Sequence, residues 1–116
     1  MELTGKAKEQ FEKWLKKQSF NRLLGQGDKW IVHNFYTFPD SMKYGVYVDF
    51  FDSEDLKVEI LISPIANTMY STKYDYSIFR ANEEIYSTSF ELDTRQEART
   101  SAITKANEIL NEQLNK

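Results

Sequence analysis

The chain has 116 residues, 41% of them hydrophobic and 15% aromatic, which is the length of one ordinary domain with enough apolar material for a core. Fifteen Lys and Arg against eighteen Asp and Glu leave a formal charge of −3, too small for an acidic nucleic-acid mimic and of the wrong sign for a generic polyanion binder. With no cysteine there is no disulfide framework, thiolate metal site or cysteine nucleophile, and no apolar run reaches the roughly 18 residues of a membrane span. Met1 to Lys17 is charged throughout, unlike a secretory signal, so a single cytoplasmic domain over residues 1–116 is expected.

From Leu3 to Phe20, apolar side chains at Leu3, Ala7, Phe11, Trp14 and Leu15 recur at three- and four-residue spacing while Lys6, Lys13, Lys16 and Lys17 lie off that stripe, which predicts an amphipathic helix. Gly25 and Gly27 break the pattern. Asp28 to Phe38 is ambiguous: Ile31, Phe35 and Phe38 suit a helix and alternation around Val32 a strand, with the balance towards a short second helix. Pro39 and Asp40 mark a turn.

Tyr44 to Asp52 alternates Val46, Val48 and Phe50 with Tyr47, Asp49 and Phe51 and reads as a strand. A polar turn over Asp52 to Asp55 leads to a second strand carrying Leu56, Val58, Ile60 and Ile62, closed by Ser63, Pro64 and Asn67. Tyr74 to Arg80 and Ile85 to Leu92 form a second hairpin across Ala81 to Glu84. Thr94 followed by Glu97 is a capping box, and Ala98, Ala102, Ile103, Ala106, Ile109, Leu110 and Leu114 continue as one helical stripe. The expected fold is therefore α+β: a four-stranded antiparallel sheet of two hairpins, with an N-terminal and a C-terminal helix on one face and a short second helix between.

Residues that could carry chemistry are few. His33 is the one histidine and has no recognisable companion for a catalytic triad or a two-histidine metal site. The glycines at 5, 25, 27 and 45 form neither a phosphate loop nor a dinucleotide fingerprint. Asp49, Asp52, Glu54 and Asp55 are dense enough to suggest a hard cation, but lack the ligand spacing of a calcium loop and read as an ordinary turn. Asp49 with Glu59 on facing strands would be a solvated pair beside Lys57. No catalytic residue, metal or cofactor is assigned, and the expectation is a non-enzymatic protein.

The aromatic residues are the more unusual feature. Tyr47, Phe51, Tyr74, Tyr76 and Tyr86 fall on expected strands, and helices cover one side of a single sheet, so some rings should face outward. Tyr47, Phe51, Tyr74 and Tyr76 are the candidate surface for a protein partner or a homodimer.

Two resemblances add context. The run Ser41-Met42-Lys43-Tyr44-Gly45-Val46-Tyr47-Val48-Asp49-Phe50-Phe51-Asp52-Ser53, with Leu3 to Lys8, Arg95 to Arg99 and Lys105 to Glu108, resembles small proteins encoded by bacterial phages and prophages, a family without an assigned activity. That likeness implies a mobile-element origin and a bacterial cytoplasm. Roughly the last third also resembles double-stranded RNA-binding domains, in which a helix, three strands and a helix follow one another and the last helix opens on a basic, basic, x, Ala, basic run. Here the run is Arg95-Gln96-Glu97-Ala98-Arg99, followed by Ala102, Ala106, Ile109 and Leu110. The resemblance makes Arg95 and Arg99 candidate nucleic-acid contacts. Gln96 replaces a basic residue, the family's Gly-Pro-x-His loop has no counterpart, and the expected sheet has one strand too many. Residues 1–43 hold eight basic and five acidic side chains and residues 44–116 seven and thirteen, so charge favours a protein over a nucleic acid as partner.

Overall fold

A computed structural model describes residues 1–18, 28–62, 73–88 and 92–116. In chain order the elements are α1 (Gly5–Lys16), α2 (Asp28–Phe35), α3 (Asp40–Ser53), β1 (Lys57–Ile62), β2 (Tyr74–Arg80), β3 (Glu83–Ser87) and α4 (Arg95–Leu114). The strands form one antiparallel sheet in the order β1-β2-β3. The expected breaks at Gly25 and Gly27, and the strand-closing Ser63, Pro64 and Asn67, lie outside the described residues.

The expected first strand, Tyr44 to Asp52, is instead the body of α3, so among the described residues the sheet has three strands rather than four. The segment satisfies two patterns at once: Val46, Val48 and Phe50 alternate with Tyr47, Asp49 and Phe51 as in a strand, while Tyr47, Phe50 and Phe51 have the i, i+3, i+4 spacing of a helix, and the helical set is the one that is buried. Tertiary partners settle the ambiguity: the Phe11 ring of α1 lies 4.9 Å from that of Tyr47 and 5.3 Å from that of Phe50, and the Phe35 ring of α2 lies 5.2 Å from Tyr47. A strand would present Tyr47 and Phe50 to opposite sides and break this cluster.

The acidic turn that follows is a helix cap. The Leu56 N–H donates to the Phe51 carbonyl at 2.8 Å and the Asp55 N–H to the Asp52 carbonyl at 3.1 Å, the paired bonds of a Schellman motif, with Asp55 at φ 60° where glycine is usual. Leu56 is thereby buried. The ambiguous segment after residue 27 is helical, as α2.

β2 and β3 join through Ala81 and Asn82, at φ 51° and 66°, as a type I′ hairpin requires. The link is thus shorter than the Ala81 to Glu84 connection expected, and Glu83 and Glu84 belong to the strand. Register shifts beyond Ile78, and past β3 the chain still meets β2, with Tyr74 and Leu92 exchanging backbone bonds of 2.8 and 3.2 Å. On the helix side of the sheet, cross-strand pairing aligns Val58 with Ile78 and Tyr86, Ile60 with Tyr76, and Ile62 with Tyr74; the other side carries Lys57, Glu59, Ser77, Phe79 and Glu84.

α4 lies across β1 and β2, with Ala98, Ala102 and Ala106 fully buried, as the small-residue stripe predicts. Its start is capped by the Thr94 hydroxyl, which accepts from the Glu97 N–H at 3.0 Å, while the Glu97 carboxylate reaches the Asp93 N–H rather than that of Thr94. α3 packs on β1 and α4, and α1 packs on α4 and α2, completing a core cluster to which every helix contributes.

The junction of α1 with α4 is polar and specific. Thr4 offers no side-chain cap to its own helix; instead Asn107 Oδ1 accepts from the Thr4 N–H at 3.0 Å and Asn111 Oδ1 from the Ala7 N–H at 2.8 Å. Their amide nitrogens donate back to Thr4, at 2.9 Å to its hydroxyl and 3.0 Å to its carbonyl. Two asparagines one turn apart on α4 thus satisfy amides that the first turn of α1 leaves orphaned.

Candidate functional site

The four aromatic residues proposed as a sheet-face surface do not form one. Tyr47 and Phe51 are fully buried on α3, in the aromatic cluster with Phe11, Phe35 and Phe50. Tyr76 points to the helix side, 4% exposed and stacked on Tyr86 at 5.8 Å. Burial, and then the neighbouring Tyr86, push the Tyr76 hydroxyl far above its ordinary pKa, which describes a core phenol rather than a contact surface. Tyr74 alone of the four remains partly open. Among the described residues the opposite face of the sheet carries the Phe79 ring and the exposed Leu61 among charged and hydroxyl groups.

Tyr74 belongs instead with Arg95 and Arg99. The Arg95 guanidinium lies 5.8 Å from the Tyr74 ring centre, and that of Arg99 lies 5.2 Å from the Tyr44 ring. Between them a groove of about 210 Å³ is lined, among the described residues, by Tyr44, Ile60, Ile62, Arg95 and Arg99. It exists because Ile60 and Ile62 continue the helix-facing side of β1 to where α4 begins, leaving Ile62 50% exposed. Burial raises the Tyr44 hydroxyl above its usual pKa, and the Arg99 charge partly offsets that.

Among the described residues neither guanidinium is ion-paired, whereas the nearby Lys43 and Lys73 are paired with Asp40 and Asp93. Both arginines sit within the first five residues of α4, where the helix dipole disfavours cations by a few tenths of a kcal/mol to about 1 kcal/mol each. Helix stability therefore does not account for them; guanidiniums placed over two tyrosine rings and without a carboxylate partner among the described residues suit an oxyanion partner.

The other recesses are less suited to chemistry. One of them, about 470 Å³, is bordered among the described residues by Asp52, Asp55, Lys57, Glu59, Phe79 and Asn82. Two of its three carboxylates are engaged: Glu59 pairs with Lys57 at 3.2 Å and Asp55 accepts from the Ala81 N–H at 3.4 Å. Burial, then the Asp49 charge, raise the Asp52 carboxyl above its usual pKa, with Lys57 opposing. Asp49 and Glu59 do not face one another across strands, because Asp49 is on α3. No cluster of three or more His, Asp or Glu that could hold a metal occurs among the described residues. His33 lies on α2 in a shallow recess with Lys16, Val32 and Tyr36, none of which could complete a hydrolytic triad.

Sequence reasoning selected Tyr74, Arg95 and Arg99 for separate reasons and left out Tyr44, Ile60 and Ile62, which complete the groove. The available signal was the pair of arginines at an unfavourable helix position. Asn107, an amide inside the otherwise apolar stripe of α4, was the corresponding signal for the contact with α1. Compared with known proteins, the chain matches no family model, no curated protein and no solved structure. No helix among the described residues is long and apolar enough to cross a membrane.

Proposed function

We propose that the protein is a non-enzymatic binding module that engages a partner protein at the groove between Tyr44, Ile62, Tyr74, Arg95 and Arg99. The observation that carries this reading is the coexistence, in one recess, of a half-exposed aliphatic side chain and two guanidiniums lying over tyrosine rings without carboxylate partners among the described residues. Tyrosine and arginine are the residues that most often dominate protein interfaces, since they offer large contact area together with directed hydrogen bonds. The resemblance to phage and prophage proteins points to a bacterial host as the place to look. The test is affinity enrichment from bacterial lysate with wild type and with R95A/R99A side by side. A partner retained by the first and lost by the second supports the reading; identical protein profiles on both count against it.

A second reading is a double-stranded RNA-binding module. It rests on the element order from Asp40 onward, which is now a helix, three antiparallel strands and a helix, with Arg95 and Arg99 at the start of the last. It predicts binding to an RNA duplex that weakens with salt and with R95A/R99A; duplex binding that ignores both would remove it.

A further inference from the structure

Resting on the protein-binding reading, we infer that the occupant of the Arg95 and Arg99 groove is an acidic segment of the partner carrying an aliphatic or aromatic anchor: the anchor packs on Ile60 and Ile62, and flanking carboxylates meet the two guanidiniums. Three features select this chemistry. Ile62, half exposed at the groove wall, is a site for an apolar side chain and offers nothing to a phosphate. Each guanidinium lies over a ring, Arg95 over Tyr74 and Arg99 over Tyr44, within cation–π range, and its donors have no carboxylate partner among the described residues, which suits a planar carboxylate from outside.

The rim supplies the third. Lys43 and Lys73 are neutralised by Asp40 and Asp93, and Glu97 stands between the two arginines in sequence, leaving about one net positive charge. That suits one or two carboxylates. A nucleic-acid duplex, with a charge every roughly 1.7 Å of its axis, would bring further phosphates against Asp40, Asp93 and Glu97.

The experiment is selection of a phage-displayed random peptide library on the full chain, followed by fluorescence anisotropy of the enriched peptides against wild type, R95E/R99E and I62S. Circular dichroism and thermal midpoints of both variants check that they are folded. The expected result is peptides combining Asp or Glu with Leu, Ile or Phe, losing about tenfold to a hundredfold in affinity on R95E/R99E. They should bind more weakly to I62S, and more weakly as salt rises from about 0.1 M to about 1 M and the screening length falls from about 10 Å to about 3 Å. Neutral or basic peptides that bind wild type and R95E/R99E equally would overturn the acidic occupant while leaving a protein-binding role elsewhere on the surface. Failure to enrich any peptide also overturns it. So does sedimentation of wild type as a dimer that R95E/R99E dissociates, which would make a second copy the occupant. Arginine-dependent binding of an RNA duplex without peptide enrichment would overturn both the inference and the reading beneath it.

Discussion

Gly5 and Gly45 should respond to alanine in opposite directions. Gly5 opens α1 at φ +63°, and a Cβ added there would stand 2.9 Å from Asn111 Oδ1, the atom that accepts from the Ala7 N–H. The left-handed backbone costs an L-residue about 1–2 kcal/mol. Displacing Asn111 weakens its bonds to Ala7 and Thr4, each contributing about 1 kcal/mol. Gly5→Ala should thus destabilise the fold by about 2–4 kcal/mol. Gly45 is on the exposed side of α3, with nothing within 4 Å of a new Cβ, and Gly45→Ala should stabilise by about 0.5–1 kcal/mol. Urea denaturation of both, with unchanged m values, measures the difference. In an N111A background the clash is gone, so the cost of Gly5→Ala should fall to the backbone part alone, about 1–2 kcal/mol. A neutral Gly5→Ala, or one whose cost is independent of Asn111, would refute the proposed contact between α1 and α4.

Ala102 is fully buried where α4 crosses the sheet, so Ala102→Phe should overpack that contact and cost about 1–3 kcal/mol by the same denaturation assay. Ala81 holds φ 51° in the hairpin, and Ala81→Asn should stabilise by about 0.5–1 kcal/mol, since asparagine tolerates the left-handed region better; a loss of stability would argue against a type I′ turn. The Asp52 carboxyl is raised in the folded protein, so folding favours its protonated form: its contribution is fullest below the unfolded pKa and is lost as pH rises through the folded one. Asp52→Asn should accordingly stabilise at pH 7, with the gain vanishing near pH 3; a gain that grows on acidification would reverse the assignment.

The elements read well from sequence are those with a single consistent period. α4 is specified by a capping box, three alanines one turn apart and aliphatics on the same stripe, and α1 by a stripe with lysines off it. The hairpin is legible as two strands around a turn near Ala81, with Tyr74 to Arg80 as expected, but its second strand runs Glu83–Ser87 rather than Ile85 to Leu92. Tyr44 to Asp52 was legible as an ordered apolar segment but not as a helix, because it alternates as a strand does while Tyr47, Phe50 and Phe51 also have helical spacing, and only contact with Phe11 and Phe35 decides between the two. The sheet consequently lost a strand, and two of the four expected surface aromatics moved from its face into the core.

Local chemistry, then, determined by itself the helical ends of the chain and the absence of a cysteine-based site, since each depends on composition or on neighbours within a few residues. The tertiary structure decided what lies across from what. It placed Asn107 and Asn111 on the first turn of α1, buried Tyr47, Phe51 and Tyr76, and brought Tyr44, Ile62 and Tyr74 beside Arg95 and Arg99. These are contacts between residues distant in sequence, and burial or exposure of a side chain is a property of the surface packed against it. That is why a groove assembled from α3, β1 and α4 leaves so faint a trace in the linear order of its residues.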